Sequence, residues 1–130
     1  MIRDYPLDWP PMHGSRPTAL VVDDDAALRM LIRVNLELEG FEVTEAATIE
    51  ETEAAVRRVR PDVVLLDVHL GGQETLSLLA RLRADSLRVA LVTGSVDVDE
   101  HRSSADAVLL KPFTPQDLVA IARRLARVET

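Results

Sequence analysis

Short apolar runs punctuate this chain, and each stops at a residue able to do chemistry. Ala19-Leu20-Val21-Val22 runs into Asp23-Asp24-Asp25, and Val63-Val64-Leu65-Leu66 into Asp67. Val89-Ala90-Leu91-Val92 ends at Thr93-Gly94-Ser95, and Ala107-Val108-Leu109-Leu110 at Lys111-Pro112. Runs of this length, bounded by turn signals and separated by helical periodicity, read as buried strands of a parallel sheet. Residues 18–23, 63–67, 89–93 and 107–110 are four such strands, and the short segment 42–45 is a fifth.

The intervening segments supply the helices. The first is expected from about Ala26 to Glu39, with Leu28, Leu31, Ile32 and Leu38 broadly on one face and Gly40 as its stop. Thr48 with Glu51 forms a capping box for a second helix that ends before Pro61. A third lies within 73–84, with a stripe of Leu76, Leu79 and Leu82. Thr114 with Asp117, and Pro115 at the first helical position, start a last helix running to Arg127. Between strands four and five only Val98 to Ser104 could be helical, so the fourth helix is expected to be short or irregular. The fold class is α/β, a five-stranded parallel doubly wound sheet.

Residues 1–17 stand apart as an N-terminal arm, carrying four prolines with Tyr5 and Trp9, and the domain proper is 18–130. The arm reads either as a loose tail or as a segment covering an apolar surface.

Composition narrows the function. A chain of 130 residues with 47% hydrophobic content makes one packed domain. The net charge of −7 argues against a nucleic-acid surface. The absence of cysteine excludes disulfides, thiolate catalysis and zinc–thiolate sites. No run approaches membrane-spanning length and no signal-peptide core opens the chain, so a cytoplasmic protein without membrane contact is expected.

In open parallel sheets, ligands bind at the carboxyl ends of the strands. That rim here receives carboxylates, a hydroxyl and the chain's one lysine, a set suited to holding a hard divalent cation beside a phosphoryl group. Two carboxylates about 4 Å apart repel by roughly 4 kcal/mol at an effective dielectric of 20. A site gathering Asp23, Asp24 and Asp67 therefore calls for a cation or protons. Oxygen-only ligation open to water suits Mg²⁺. Asp25 is accounted for by helix capping. Lys111 offers a point charge, and its bond to Pro112 is a candidate cis peptide. A carboxylate so placed can act as a nucleophile and form an acyl phosphate.

Taken in order, Leu20-Val21-Val22-Asp23-Asp24-Asp25, Val63 to Asp67, Leu91-Val92-Thr93-Gly94 and Leu110-Lys111-Pro112-Phe113 resemble the motifs of the response-regulator receiver domain of two-component signalling. The resemblance covers about 18–128 and implies the flavodoxin-like receiver fold. By it, Asp67 accepts a phosphoryl group from a histidine kinase or histidine phosphotransfer protein. Asp23, Asp24, Asp67 and the backbone carbonyl of His69 hold Mg²⁺, and Thr93 and Lys111 contact phosphoryl oxygens. The domain is then a phosphoacceptor and not an enzyme beyond self-catalysed phosphotransfer. With no output domain after residue 128 it reads as a stand-alone receiver that signals to an unidentified downstream protein or relays phosphoryl groups. By the same resemblance, partners are expected to dock near the first helix and the 67–72 loop, around Leu28, Met30 and Leu31 insofar as these are exposed. A monomer or weak homodimer is expected; Arg123, Arg124 and Arg127 read as a dimer contact or as a solvated basic face.

Three departures stand out. The loop after the acceptor reads His69-Leu70-Gly71-Gly72-Gln73-Glu74-Thr75, and Gly71-Gly72 suggests flexibility there. Val108 stands where the family carries a switch aromatic, and the fourth helix is curtailed. His69 is read either as tuning water access to an acyl phosphate or as a plain loop residue, and His13 and His101 as surface histidines. Two alternatives remain: a receiver-like interaction module working without phosphorylation, and a Mg²⁺-dependent phosphohydrolase. The second lacks both a Walker A loop and a Gly-x-Gly-x-x-Gly turn.

Overall fold

The computed structural model describes residues 16–94 and 104–127. The arm up to Ser15 (with Tyr5, Trp9 and His13), the expected fourth helix and His101 lie outside the described residues. Within them the chain runs β1 (Thr18–Val22), α1 (Ala26–Leu38), β2 (Glu42–Ala46), α2 (Ile49–Val59) and β3 (Val63–Asp67). There follow β4 (His69–Leu70), β5 (Gln73–Glu74), α3 (Leu76–Ala84), β6 (Val89–Thr93), β7 (Ala107–Leu110) and α4 (Pro115–Ala126).

Five strands form one parallel sheet in the order β2-β1-β3-β6-β7. The central strands β3 and β6 are buried at every position, which is why their sequences do not alternate. Successive side chains point to opposite faces and feed two cores. Leu20, Val22, Val64, Leu66 and Leu91 meet Val56 of α2 and Leu78, Leu79 and Leu82 of α3. Ala19, Val21, Leu65 and Val92 meet Ile32 and Leu36 of α1 and Leu118, Ala122 and Leu125 of α4. The sheet is doubly wound, as the run-and-helix pattern implied.

The helix starts follow their signals. The Asp25 side chain accepts from the amides of Ala27 and Leu28, at 3.0 and 3.2 Å. Thr48 Oγ1 accepts from Glu51 N–H at 3.0 Å, and Glu51 reaches back to Ala47 N–H at 2.7 Å. Thr114 accepts from Asp117 N–H at 3.0 Å, with Pro115 opening the helix. Pro17, assigned to the arm by sequence, is already tied to the sheet, its carbonyl accepting from Glu42 N–H at 2.9 Å.

Two expectations need correction. The inner face of α1 is Leu28, Ile32 and Leu36, whereas Leu31 and Leu38 are 52% and 77% exposed. Together with Met30 and Val34 they form a second apolar stripe that nothing among the described residues covers. The segment after Asp67 is a two-stranded antiparallel hairpin rather than a flexible loop, pairing His69 with Glu74 and Leu70 with Gln73. Gly71 and Gly72 take φ of +58° and +81°, so both central residues of its turn are left-handed, the signature of a type I′ hairpin. Accordingly α3 starts only at Leu76.

Candidate functional site

Strand order places β1 beside β3, with α1 and α2 on opposite faces, and this reversal opens a crevice at the carboxyl ends. Asp23 and Asp24 leave β1 there, and Asp67 is the last residue of β3. One carboxylate oxygen from each of the three lies within 4.8 Å of the other two. Lys111, immediately after β7, brings Nζ to 3.7 Å from Asp23 Oδ2 and 3.8 Å from Asp67 Oδ1. The backbone carries it there: Lys111 N–H donates to Thr93 carbonyl at 2.8 Å, and the Lys111–Pro112 bond is cis. Thr93 ends β6 one residue past Val92, the register partner of Asp67, and is buried. Thus the residues singled out in the sequence converge at one rim.

Each carboxylate is held differently. Asp23 is buried; its Oδ1 accepts from Asp25 N–H at 2.8 Å, and its carbonyl accepts from Arg29 Nη1 at 2.6 Å. Its Oδ2 is buried with no hydrogen-bond partner. Asp24 is exposed, and its Oδ2 accepts from the backbone N–H of Gly71 at 2.9 Å. Asp67 Oδ1 accepts from His69 N–H at 3.3 Å, a long contact. Burial, with Asp23 next and Asp24 adding less, pushes the Asp67 carboxyl above its ordinary 3.8, while Lys111 and the His69 amide pull the other way.

An ammonium at 3.7–3.8 Å is too far to hydrogen-bond either carboxylate well, so it offsets charge without satisfying lone pairs. A buried carboxylate oxygen without a donor, on one member of a cluster of three acids, fits a hard cation taking oxygen ligands.

Sequence reasoning missed two supporting residues. Arg29 grips the Asp23 carbonyl and Glu45 together, yet reads in the sequence as an ordinary helix arginine. Thr75, fully buried, brings Oγ1 to 2.7 Å from the Asp67 carbonyl and 3.0 Å from that of Val68. A threonine before an apolar helix looks like a cap, but its side chain makes no cap bond.

This fold and rim define a doubly wound α/β domain with an acidic crevice at the carboxyl edge of its sheet. The family model described as the response regulator receiver domain matches residues 19–123, and the chain belongs to that family. The DNA-binding response regulator MtrA of Mycobacterium tuberculosis is 37% identical over 121 residues, covering 89% of this chain and 53% of that protein. The chain spans about half the length of the curated relatives it matches. Among solved structures, the receiver domain of NtrX from Brucella abortus superposes with a TM-score of 0.78 at 28% identity, covering 85% of this chain and 99% of that one. The chemotaxis response regulator CheY4 of Vibrio cholerae gives 0.77 at 25%, covering 85% and 99%. Receiver domains are phosphoacceptor signalling domains of two-component systems, not dedicated enzymes. No helix among the described residues is long and apolar enough to cross a membrane.

Proposed function

We propose that Asp67 is the phosphoacceptor and that Asp23, Asp24, Asp67 and the His69 backbone carbonyl hold Mg²⁺. The observation carrying this reading is the gathering of three carboxylates, one with an unsatisfied buried oxygen, with the ammonium of Lys111 beside two of them, Asp23 and Asp67. A bound Mg²⁺ would neutralise the acids and share the charge on the transferred phosphoryl group.

The protein's own residues do the rest. An Asp67 oxygen attacks the phosphorus of a phosphohistidine, the P–N bond breaks, and the imidazole leaves with the electron pair. Lys111 Nζ, facing Asp67 Oδ1 across 3.8 Å, is placed to pair with a phosphoryl oxygen on that carboxylate. The Thr93 hydroxyl, at the adjacent strand end, is the second phosphoryl contact. Burial that raises the Asp67 pKa also makes its carboxylate a more basic nucleophile once deprotonated.

The phosphodonor is a histidine kinase or histidine phosphotransfer protein, and the exposed α1 stripe of Met30, Leu31, Val34 and Leu38 offers it an apolar landing surface. Leu28 is not part of that surface, since it packs on the core. The division into an arm of 1–17 and a domain of 18–130, a cytoplasmic location and a monomer or weak homodimer belong to the same reading. Arg123 is already paired with Glu39, which favours a solvated helix face over a dimer contact. The DNA binding named for MtrA belongs to a protein about twice as long, and we assign none of it to this domain.

Incubation with Mg²⁺ and acetyl phosphate, followed by intact-mass spectrometry, tests the reading. One added phosphoryl group is expected in the wild type and none in Asp67→Asn. No gain with acetyl phosphate or with a phosphorylated histidine donor would favour an interaction module independent of phosphorylation; multiple turnover of a phosphomonoester would point to a phosphohydrolase.

A further inference from the structure

The β4–β5 hairpin stands between the acceptor and α3, and its contacts are not those of a connecting loop. Its strands are two residues each, too short for a ladder to hold the shape alone. Order must come from its two ends and from Leu70, which is buried at 2% exposure. The root is fastened by Thr75, whose N–H donates to the Val68 carbonyl at 2.9 Å. Its hydroxyl sits against the carbonyls of Asp67 and Val68. The tip is fastened by one bond, Gly71 N–H to Asp24 Oδ2 at 2.9 Å, across 47 residues of sequence.

Among the described residues, that tip bond is the one hydrogen bond between the hairpin and Asp24. Asp24 is the exposed member of the acidic cluster, repelled by two neighbouring carboxylates and free to swing into water. A backbone amide aimed at a carboxylate makes a charge-assisted bond, stronger than a neutral one. The amide can aim there only because the turn is left-handed at both positions, at φ +58° and +81°. An added Cβ would meet nothing within 4 Å at either glycine, so glycine is present for conformation, not space.

We infer that the Gly71-Gly72 turn is a positioning element for the acidic site: it holds the Asp24 carboxylate inside the cluster before a cation arrives, so that the turn sets divalent-cation affinity although neither glycine supplies a ligand. The inference rests on the metal reading proposed above. Linkage makes the effect reciprocal, since a cation that favours the gathered Asp24 also favours the ordered hairpin.

The test uses the full chain and Mg²⁺ alone, followed by amide NMR. Gly71→Val, a β-branched residue ill suited to φ +58°, is expected to weaken Mg²⁺ binding about tenfold, the scale on which outer partners of metal ligands act. Gly71→Asn, which tolerates that conformation, is expected to bind within about twofold of wild type. Melting in EDTA checks that both variants are folded. In the wild type the Gly71 amide should exchange slowly with solvent, and this protection should disappear in Asp24→Ala. Equal Mg²⁺ affinity in wild type and Gly71→Val overturns the inference, as does tighter binding in the variant. If the wild type shows no Mg²⁺-dependent shifts, the metal reading itself fails. The hold on Asp24 is then judged by hydrogen exchange alone, and Gly71 protection unchanged in Asp24→Ala overturns it.

Discussion

The two ends of the sheet are built on opposite electrostatic rules. At the amino ends of the strands α2, α3 and α4 terminate, and each carries arginines in its last turn: Arg57 and Arg58, Arg81 and Arg83, Arg123 and Arg124. Cations there offset the negative ends of the helix dipoles. Several also find carboxylates at that end, Arg83 with Asp106 at 3.2 Å and Arg123 with Glu39, while Arg60 just past α2 pairs with Asp85 at 3.3 Å. At the carboxyl ends, three carboxylates gather within 4.8 Å of one another, an ammonium lies beside two of them, and a buried oxygen of Asp23 has no donor. One end lowers the energy of the resting fold. The other keeps a charge imbalance that a ligand can relieve, as binding crevices generally do.

The sharpest way to break this comparison is to remove the Lys111 ammonium from the acidic rim. Without divalent metal, Lys111→Met leaves Asp23 and Asp67 facing each other with nothing between them. We expect a loss of about 1–3 kcal/mol in urea unfolding, below the full cost of breaking a buried pair because the lysine side chain is 31% exposed. Millimolar Mg²⁺ should return most of that loss. A variant as stable as wild type in EDTA would mean that the rim is not charge-strained.

A smaller effect, of opposite sign, is expected from removing a negative charge. The Asp67 carboxyl sits above its ordinary 3.8 because burial and then Asp23 penalise its ionised form. The folded state therefore binds this proton more tightly than the unfolded chain. Its contribution to stability is fully present below 3.8 and is lost as pH rises through the folded-state value. Asp67→Asn carries no such dependence. In EDTA the variant should melt higher than wild type at pH 7, and the gap should close as the pH approaches 4. An unchanged gap across that range would show that the charge of Asp67 costs the fold nothing.

Most of the fold was legible because its signals are local and periodic. Val63–Asp67 and Val89–Thr93 could be bounded to the residue, since unbroken apolar runs ending in polar residues have few other uses in a short chain. The converging acids were legible for a related reason: parallel strands deliver their ends to one edge, so a polar residue closing each run must meet the others. What escaped was non-local or too short. Gly71-Gly72 was read as looseness, although two adjacent glycines equally suit a type I′ turn; strands of two residues leave no alternation to detect. On α1 both Leu36 and Leu38 are apolar, and only packing against α4 and the sheet decides that Leu36 goes in and Leu38 out. The grips of Arg29 on Asp23 and of Thr75 on Asp67 are three-dimensional contacts with no sequence signature.

The smallest effect expected lies at the opposite end of the sheet. Arg60 follows α2 with φ at 51°, and its guanidinium meets the Asp85 carboxylate at 3.3 Å and the Asp85 carbonyl at 3.3 Å. Both side chains of the pair are more than half exposed, at 58% and 65%, so water and salt screen most of the attraction. Exposed pairs of this kind are worth about 0.2–1 kcal/mol. Arg60→Ala should therefore cost less than about 1 kcal/mol in urea unfolding, with the loss shrinking further in high salt. Arg60→Gly should fare better than alanine, because glycine takes the left-handed conformation without the Cβ penalty that any other residue meets there. Neither variant should alter Mg²⁺ binding or phosphoryl uptake, since the pair sits beside the starts of β3 and β6 while the acids sit at their ends. A change in Mg²⁺ affinity on substituting Arg60 would show instead that the two ends are energetically coupled through the sheet, and that charge strain at the acidic rim is balanced against pairing at the far one.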